Sequence, residues 1–185
     1  TADGKETAVR DFKGGNRYSD QCQRVVEHID KSHASHGENG KGPVNQRYWM
    51  QIKHLNSHYA HQVSREIVEY CKAHEVGIIA FPKYVESYEK NVKKASGNYS
   101  ALHLSTRIRE YLIYKAWQSG ILVIDINAKG FHENCAVCGA NIVSVDKKTQ
   151  ECTGEAGHKT NRYLNIARNT AKRCLEQFQK TENIR

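Results

Sequence analysis

Four side chains in one short stretch could hold a metal ion. Cys135 and Cys138 form a C-A-V-C-G turn with Gly139, and Cys152 and His158 follow in C-T-G-E-A-G-H. The C-x2-C spacing brings two thiolates to one tetrahedral ion from a tight turn, and a glycine behind it lets the backbone curl under the metal. Cys152 is the natural third ligand. For the fourth, Glu155 stands where a second C-x2-C would place a cysteine. His158 is the better donor, because structural zinc prefers nitrogen and sulfur. The chemistry expected is structural zinc held by Cys135, Cys138, Cys152 and His158. The competing explanation is a chance grouping of buried thiols, and that explanation does fit the other three cysteines. Cys22, Cys71 and Cys174 fall at apolar helical positions and read as small buried hydrophobes. Six cysteines with one C-x2-C fit a reducing compartment and a metal rather than a disulfide framework.

The elements that must position this stretch follow from hydrophobic periodicity. Residues 1–16 are polar, with one strand expected at Thr7–Phe12. Cys22, Val25, Val26 and Ile29 give helical spacing over Asp20–Ile29. Lys31–Asn45, rich in Gly, Ser and His, reads as a loop. It carries His33 and His36, with no third ligand close by. Gln46–Glu75 is the longest expected helix, with Trp49, Ile52, Leu55, Tyr59, Val63, Ile67, Tyr70 and Cys71 as its apolar stripe. His54, His58, His61 and Arg65 occupy its other face.

Val76–Phe81 is an apolar run expected as a central strand that Pro82 ends. Tyr84–Asn98 is charged. Ser105 is expected to cap a helix reaching Trp117, with Ile108, Leu112, Ile113 and Ala116 inward and Gly120 closing it. Ile121–Ile126 is a second strand, carrying Asp125. A last helix is expected over Arg162–Phe178, with Leu164, Ala167, Ala171, Cys174, Leu175 and Phe178 inward. Strands alternating with helices predict an α/β domain in which helices cover a sheet.

The chain has 185 residues and a formal net charge of +8, with 28 Lys and Arg against 20 Asp and Glu. That balance suits a polyanionic partner, although a merely basic soluble protein has the same composition. The basic side chains singled out for phosphate contact are Lys90, Lys93, Lys94, Arg107, Arg162, Arg168 and Arg173. No run is long and apolar enough for a membrane span, and no signal peptide is visible. Thr1 is not a natural start, so the chain is read as an excised piece of a longer protein.

One order of motifs is specific. Y-L-I-Y-K-A-W-Q-S-G-I-L-V-I-D (Tyr111–Asp125) precedes the C-x2-C-G turn, and R-x-x-N-x-A-x-N (Arg162–Asn169) follows it. This order resembles the C-terminal RuvC-like nuclease half of TnpB, the transposon-encoded RNA-guided endonuclease, and of its descendants, the type V CRISPR effectors. The resemblance runs from about Trp49 to Arg173 and is strongest between Leu112 and Asn169. It implies an RNase H-like (RuvC-type) sheet with flanking helices, formed by residues 1–131 and 162–185, with a zinc knuckle at 132–161 inserted before the last helix. It also implies guide RNA and target DNA as partners, the remaining domains of the protein's own chain, and a bacterial cytoplasmic setting without a membrane.

The departures from that family concern its chemistry. The family's last helix opens D-R-D-x-N-A-A-x-N-I, and its second Asp holds a catalytic magnesium. Here Asn161, Arg162 and Tyr163 occupy that register. The family's strand Glu falls at Phe81 or Pro82, and no apolar strand with an Asp precedes Lys5. Two-metal phosphodiester cleavage needs converging carboxylates. Asp125 would be alone. The resemblance therefore implies a nuclease-dead domain with no catalytic residues, whose degenerate positions are Phe81, Pro82 and Tyr163. Two other readings stand beside it. One is an active RNA-guided endonuclease whose carboxylates lie upstream or in another register, which would need magnesium. The other is a zinc-bearing interaction module of a transposition or transcription complex.

Overall fold

A computed structural model describes residues 5–36, 45–84, 101–146 and 148–182. The described elements are α1 (Gly15–His36), α2 (Gln46–Ala73), β1 (Ile78–Lys83), α3 (Ala101–Gln118), β2 (Leu122–Asn127), β3 (Ile142–Ser144), β4 (Thr149–Cys152), β5 (Lys159–Asn161) and α4 (Arg162–Glu182). The fold is mixed α/β, with one two-stranded and one three-stranded sheet. It divides into two compact units. One comprises Arg10–Gly77 and Glu89–Leu122, the other Thr1–Val9, Ile78–Tyr88 and Val123–Arg185. No described helix is long and apolar enough to cross a membrane.

The first unit is helical. Tyr18, Cys22, Val25 and Ile29 recur at helical spacing along α1 and meet Ile52, Tyr59 and Ala60 of α2 and Leu104 of α3. Side-chain contacts pair Ser57 with Tyr111 and His61 with Lys115, so α2 and α3 run in the same direction. Lys115 sends its ammonium inward, to the His61 carbonyl and the Ser64 hydroxyl at 2.7 Å each. Burial lowers its pKa. Leu112 is 1% exposed, so truncating it to Ala removes a fully buried side chain at a cost of about 2–5 kcal/mol.

Two helices of this unit, α2 and α3, end alike. After α3, Gly120 (φ 71) donates to the Trp117 carbonyl and Ile121 to that of Ala116. After α2, Val76 donates to the Cys71 carbonyl, with Glu75 in the left-handed region at φ 53. A glycine meets that conformation without strain; a glutamate does not.

The second unit holds both sheets and α4. Leu122 N–H donates to the Gly77 carbonyl and Ala128 N–H to that of Lys83, both at 2.9 Å. This progression makes β1 and β2 parallel. Ile126, Ala128, Phe131 and Ile166 form the buried centre of this unit. β3, β4 and β5 form an antiparallel sheet, with Ile142 opposite Cys152 and Thr149 opposite Asn161.

Several expectations are corrected. Thr7–Phe12 forms no strand; Phe12 instead sets its ring edge-on to Tyr70, with Arg10 over both rings. α1 starts before Asp20 and continues through Lys31–His36, where the Ser35 hydroxyl bonds back to the helix carbonyls. The rest of that expected loop up to residue 44 lies outside the described residues. α3 begins at Ala101, so Ser105 is interior to it and not its cap. Pro82 lies within β1. It is accommodated because β1 is an edge in its two-stranded sheet, where a missing N–H breaks no ladder. β1 and β2 are only partly covered, with Ile78 and Leu122 exposed, so neither is central. Trp49 is exposed, because the buried stripe of α2 passes through Asn56, Ala60 and Ser64, and Ile113 of α3 is exposed as well. α4 likewise buries Asn165, Ile166 and Thr170, while Ala167, Ala171 and Phe178 face solvent.

Candidate metal centre

Two turns bring the ligands together. In the first, Cys135 N–H donates to the Ala140 carbonyl at 2.8 Å and Gly139 N–H to the Cys135 carbonyl at 2.9 Å, with Gly139 at φ 77. In the second, at the end of β4, Cys152 N–H donates to the His158 carbonyl at 3.0 Å. The His158 N–H in turn donates to Cys152 Sγ at 3.2 Å. Gly154 lies close beneath the ligands. A Cβ there would stand 3.2 Å from Ala140 Cβ and 3.5 Å from Cys138 Sγ.

The donor atoms of Cys135, Cys138, Cys152 and His158 all lie within 4.8 Å of one another. Cys138 Sγ and Cys152 Sγ are 3.8 Å apart, and His158 Nδ1 lies 3.4 Å from Cys152 Sγ and 4.0 Å from Cys135 Sγ. A tetrahedral zinc with Zn–S of about 2.3 Å and Zn–N of about 2.0 Å sets these edges at about 3.8 Å and about 3.5 Å. The donor set therefore fits a metal ion such as zinc. The fourth converging donor is His158; Glu155 is exposed and outside the group. Burial opposes ionisation of Cys135, but the Cys138 and Val137 backbone N–H groups outweigh it and hold the thiol below its ordinary pKa. Among the described residues no other group of three His, Cys, Asp or Glu side chains converges in this way.

α4 supports the centre from below. Asn165, 1% exposed, accepts the Ala136 N–H on Oδ1 at 2.8 Å. It donates from Nδ2 to the Asn134 carbonyl at 2.9 Å. Asn169, one turn on, donates to the same carbonyl at 3.0 Å. Lys172 Nζ donates to the Ala136 carbonyl. Arg173 reaches the Asn127 and Lys129 carbonyls, its guanidinium 4.2 Å from the Phe131 ring centroid. Sequence reasoning placed Asn165 and Asn169 in a motif and gave them no role. Their i, i+4 spacing puts both amides on one helix face, and that was the available signal.

The other singled-out residues are placed as follows. Tyr163, 65% exposed, sits in the first turn of α4. Phe81 and Pro82 are half-buried in β1, against which α4 packs. Asp125 on β2 approaches Lys83 at 3.8 Å. Arg107 pairs with Glu110 at 3.0 Å. Arg168 makes a two-pronged contact with Glu6, both bonds 2.8 Å, and that contact lowers the Glu6 pKa. Arg162 opens α4, half-buried. Lys90, Lys93 and Lys94 lie outside the described residues.

Residues 106–170 match the family model of the Cas12f1-like, TNB domain. The fold matches a chain of the cryo-EM structure of the Cas12f1–sgRNA–target DNA complex, with a TM-score of 0.56 and 16% identity, over 80% of this chain and 41% of that one. The chain thus spans about two fifths of that protein's length. No curated protein matches it. In sequence over 106–170 and in fold over most of its length, the chain resembles the C-terminal region of the TnpB and type V effector family.

Proposed function

We propose that this chain is the nuclease-dead, RuvC-like nucleic-acid-binding region of an RNA-guided DNA-binding protein of the TnpB and type V effector kind. In this reading residues 1–131 and 162–185 form the RNase H-like domain, and 132–161 form a zinc knuckle in which Cys135, Cys138, Cys152 and His158 hold a structural ion. Zinc would supply cross-linking of the two turns, and folding energy to a segment with almost no core of its own.

The observation that carries the reading is Tyr163. It stands where the family's last helix has its magnesium-binding Asp, and a phenol offers no carboxylate to a magnesium ion. Phe81 and Pro82 occupy the strand position of the family's Glu, on an element that packs against the same helix. With both carboxylates absent, the two-metal clamp on attacking and leaving oxygens has no basis.

Guide RNA and target DNA are the partners proposed. Base pairing reads sequence, and the protein grips backbone shape and charge. The basic side chains assigned to phosphate contact are Lys90, Lys93, Lys94, Arg107, Arg162, Arg168 and Arg173, in a chain of net charge +8. A protein of this kind would occupy a guided DNA site without cutting it, and block it or recruit a partner there. The test uses the full-length protein with guide RNA, target DNA and magnesium or manganese. Guided binding without strand cleavage is expected. Metal-dependent cutting that a chelator stops would overturn the reading.

A further inference from the structure

We infer that Asn165 and Lys172 of α4 are outer-shell positioning residues of the knuckle metal site and set its affinity. This inference rests on the zinc reading above. It concerns residues that donate no ligand atom.

The geometry is specific to the first ligand turn. Cys135 is flanked by two peptide units, and α4 holds both. The preceding one, at Asn134, offers its carbonyl to Asn165 Nδ2 at 2.9 Å and to Asn169 Nδ2 at 3.0 Å. The following residue, Ala136, gives its N–H to Asn165 Oδ1 at 2.8 Å and its carbonyl to Lys172 Nζ. One side-chain amide therefore spans the ligand from both sides, and the ammonium closes the turn's far peptide. Asn165 and Ala136 are buried, at 1% and 4% exposure, so an amide lost from this place is not readily replaced by water.

Two thiolates of a C-x2-C turn converge on an ion only when the intervening backbone is curled in one way. Holding that backbone before the ion arrives removes an ordering cost from binding, as outer-shell partners of metal ligands do elsewhere. By linkage the effect is reciprocal: an ion in the knuckle also fastens α4, the helix whose first turn carries Tyr163.

The test is retention of zinc by the full chain against a graded chelator, at a temperature well below the variant's melting point, with amide exchange over 131–140 read in parallel. Asn165→Ala should weaken zinc retention by about 10- to 100-fold and raise exchange in that segment. A folded Asn165→Ala protein that retains zinc as the parent does overturns the inference. Should Asn165→Ala fail to fold, Lys172→Met decides, because Lys172 is exposed: weakened retention supports the assignment and unchanged retention overturns it. A parent protein that takes up no zinc would fail the zinc reading itself, which separates the two failures.

Discussion

Asn161 Oδ1 accepts the backbone N–H of Tyr163 at 2.9 Å, and that of Leu164 at 3.4 Å. Asn161 is the N-cap of α4, and Tyr163 is the second residue of the helix. In the reading proposed above, both stand where the related family has aspartates. One of the two positions has kept a use open to a neutral amide, and the other is an exposed phenol. Asn161→Ala should therefore destabilise the chain by about 0.5–2 kcal/mol, the usual cost of losing a cap. Asn161→Asp should match or exceed the parent, because a carboxylate favours the positive end of the helix dipole. Thermal denaturation of the three proteins checks the order; an Ala variant as stable as the parent removes the cap from the account.

The knuckle should depend on its ion more than the rest of the chain does. One equivalent of zinc is expected in freshly purified, reduced protein. Cys135→Ser should lose it and melt the segment around β3, β4 and β5, while the parallel β1–β2 pairing persists. Gly154→Ala should weaken zinc as well, since its Cβ would press on Ala140 Cβ at 3.2 Å. Metal analysis and amide exchange by segment read both effects. Zinc-free protein with a protected knuckle would refute the expectation.

The knuckle was legible because its signal is local in sequence: C-x2-C-G fixes a turn, and Cys152 and His158 follow 14 and 20 residues after Cys138. The helices of the first unit were legible for the same reason, through Cys22, Val25 and Ile29 or Leu112 and Ala116 at fixed spacing. What periodicity could not show is polar burial. Asn165, Asn56 and Ser64 lie inside because each finds a partner that only tertiary structure supplies: Ala136 and Asn134, the Tyr18 hydroxyl, and Lys115. Counting only apolar residues rotated the expected faces of α2 and α4 away from those positions. Pro82 misled for a related reason. A proline ends a central strand but not an edge strand, and which kind β1 is depends on pairing that its own residues do not encode.

The Glu6–Arg168 pair gives a pH dependence with a definite sign. The hydrogen-bonded guanidinium lowers the Glu6 pKa from its ordinary 4.5. The folded state thus prefers the carboxylate. Its contribution is complete above about 4.5 and is lost as pH falls through the lower folded value. The pair is well exposed, so its worth is at most about 1 kcal/mol. Glu6→Gln should be slightly less stable than the parent at pH 7, and the gap should narrow at an acid pH below the ordinary 4.5. Denaturant midpoints for both proteins at the two pH values check this. A gap that widens in acid would reverse the sign.

Nucleic-acid binding should weaken steeply with salt, because each neutralised phosphate releases counterions. The basic side chains should not contribute alike. Arg168 is engaged by Glu6, Arg107 by Glu110, and Arg173 by two carbonyls. Arg162→Ala should therefore lower the slope of log affinity against log salt by about 0.7–0.9, the share of one phosphate. Arg173→Ala should lower stability more than slope. Salt titrations of the full-length complex read the slopes, and binding indifferent to salt would remove charge from the account.

Tyr163→Asp is the substitution that bears most directly on the proposed loss of chemistry. An Asp there is structurally easy. The position is exposed, its N–H is already capped by Asn161, and a carboxylate in the first turn suits the helix dipole. A folded variant is therefore expected, and its activity can be read without concern for the fold. One carboxylate does not make a two-metal site. Phe81 and Pro82 still leave the neighbouring strand without an acid, and groups that act as a set lose nearly all activity when any member is missing. Tyr163→Asp in the full-length protein, with guide, target and magnesium or manganese, should leave the target uncut while guided binding persists. If this single change yields chelator-sensitive cutting, the remaining carboxylates are in place elsewhere in the protein. The loss would then be one residue deep, and the strand positions Phe81 and Pro82 would not be the family's acidic site.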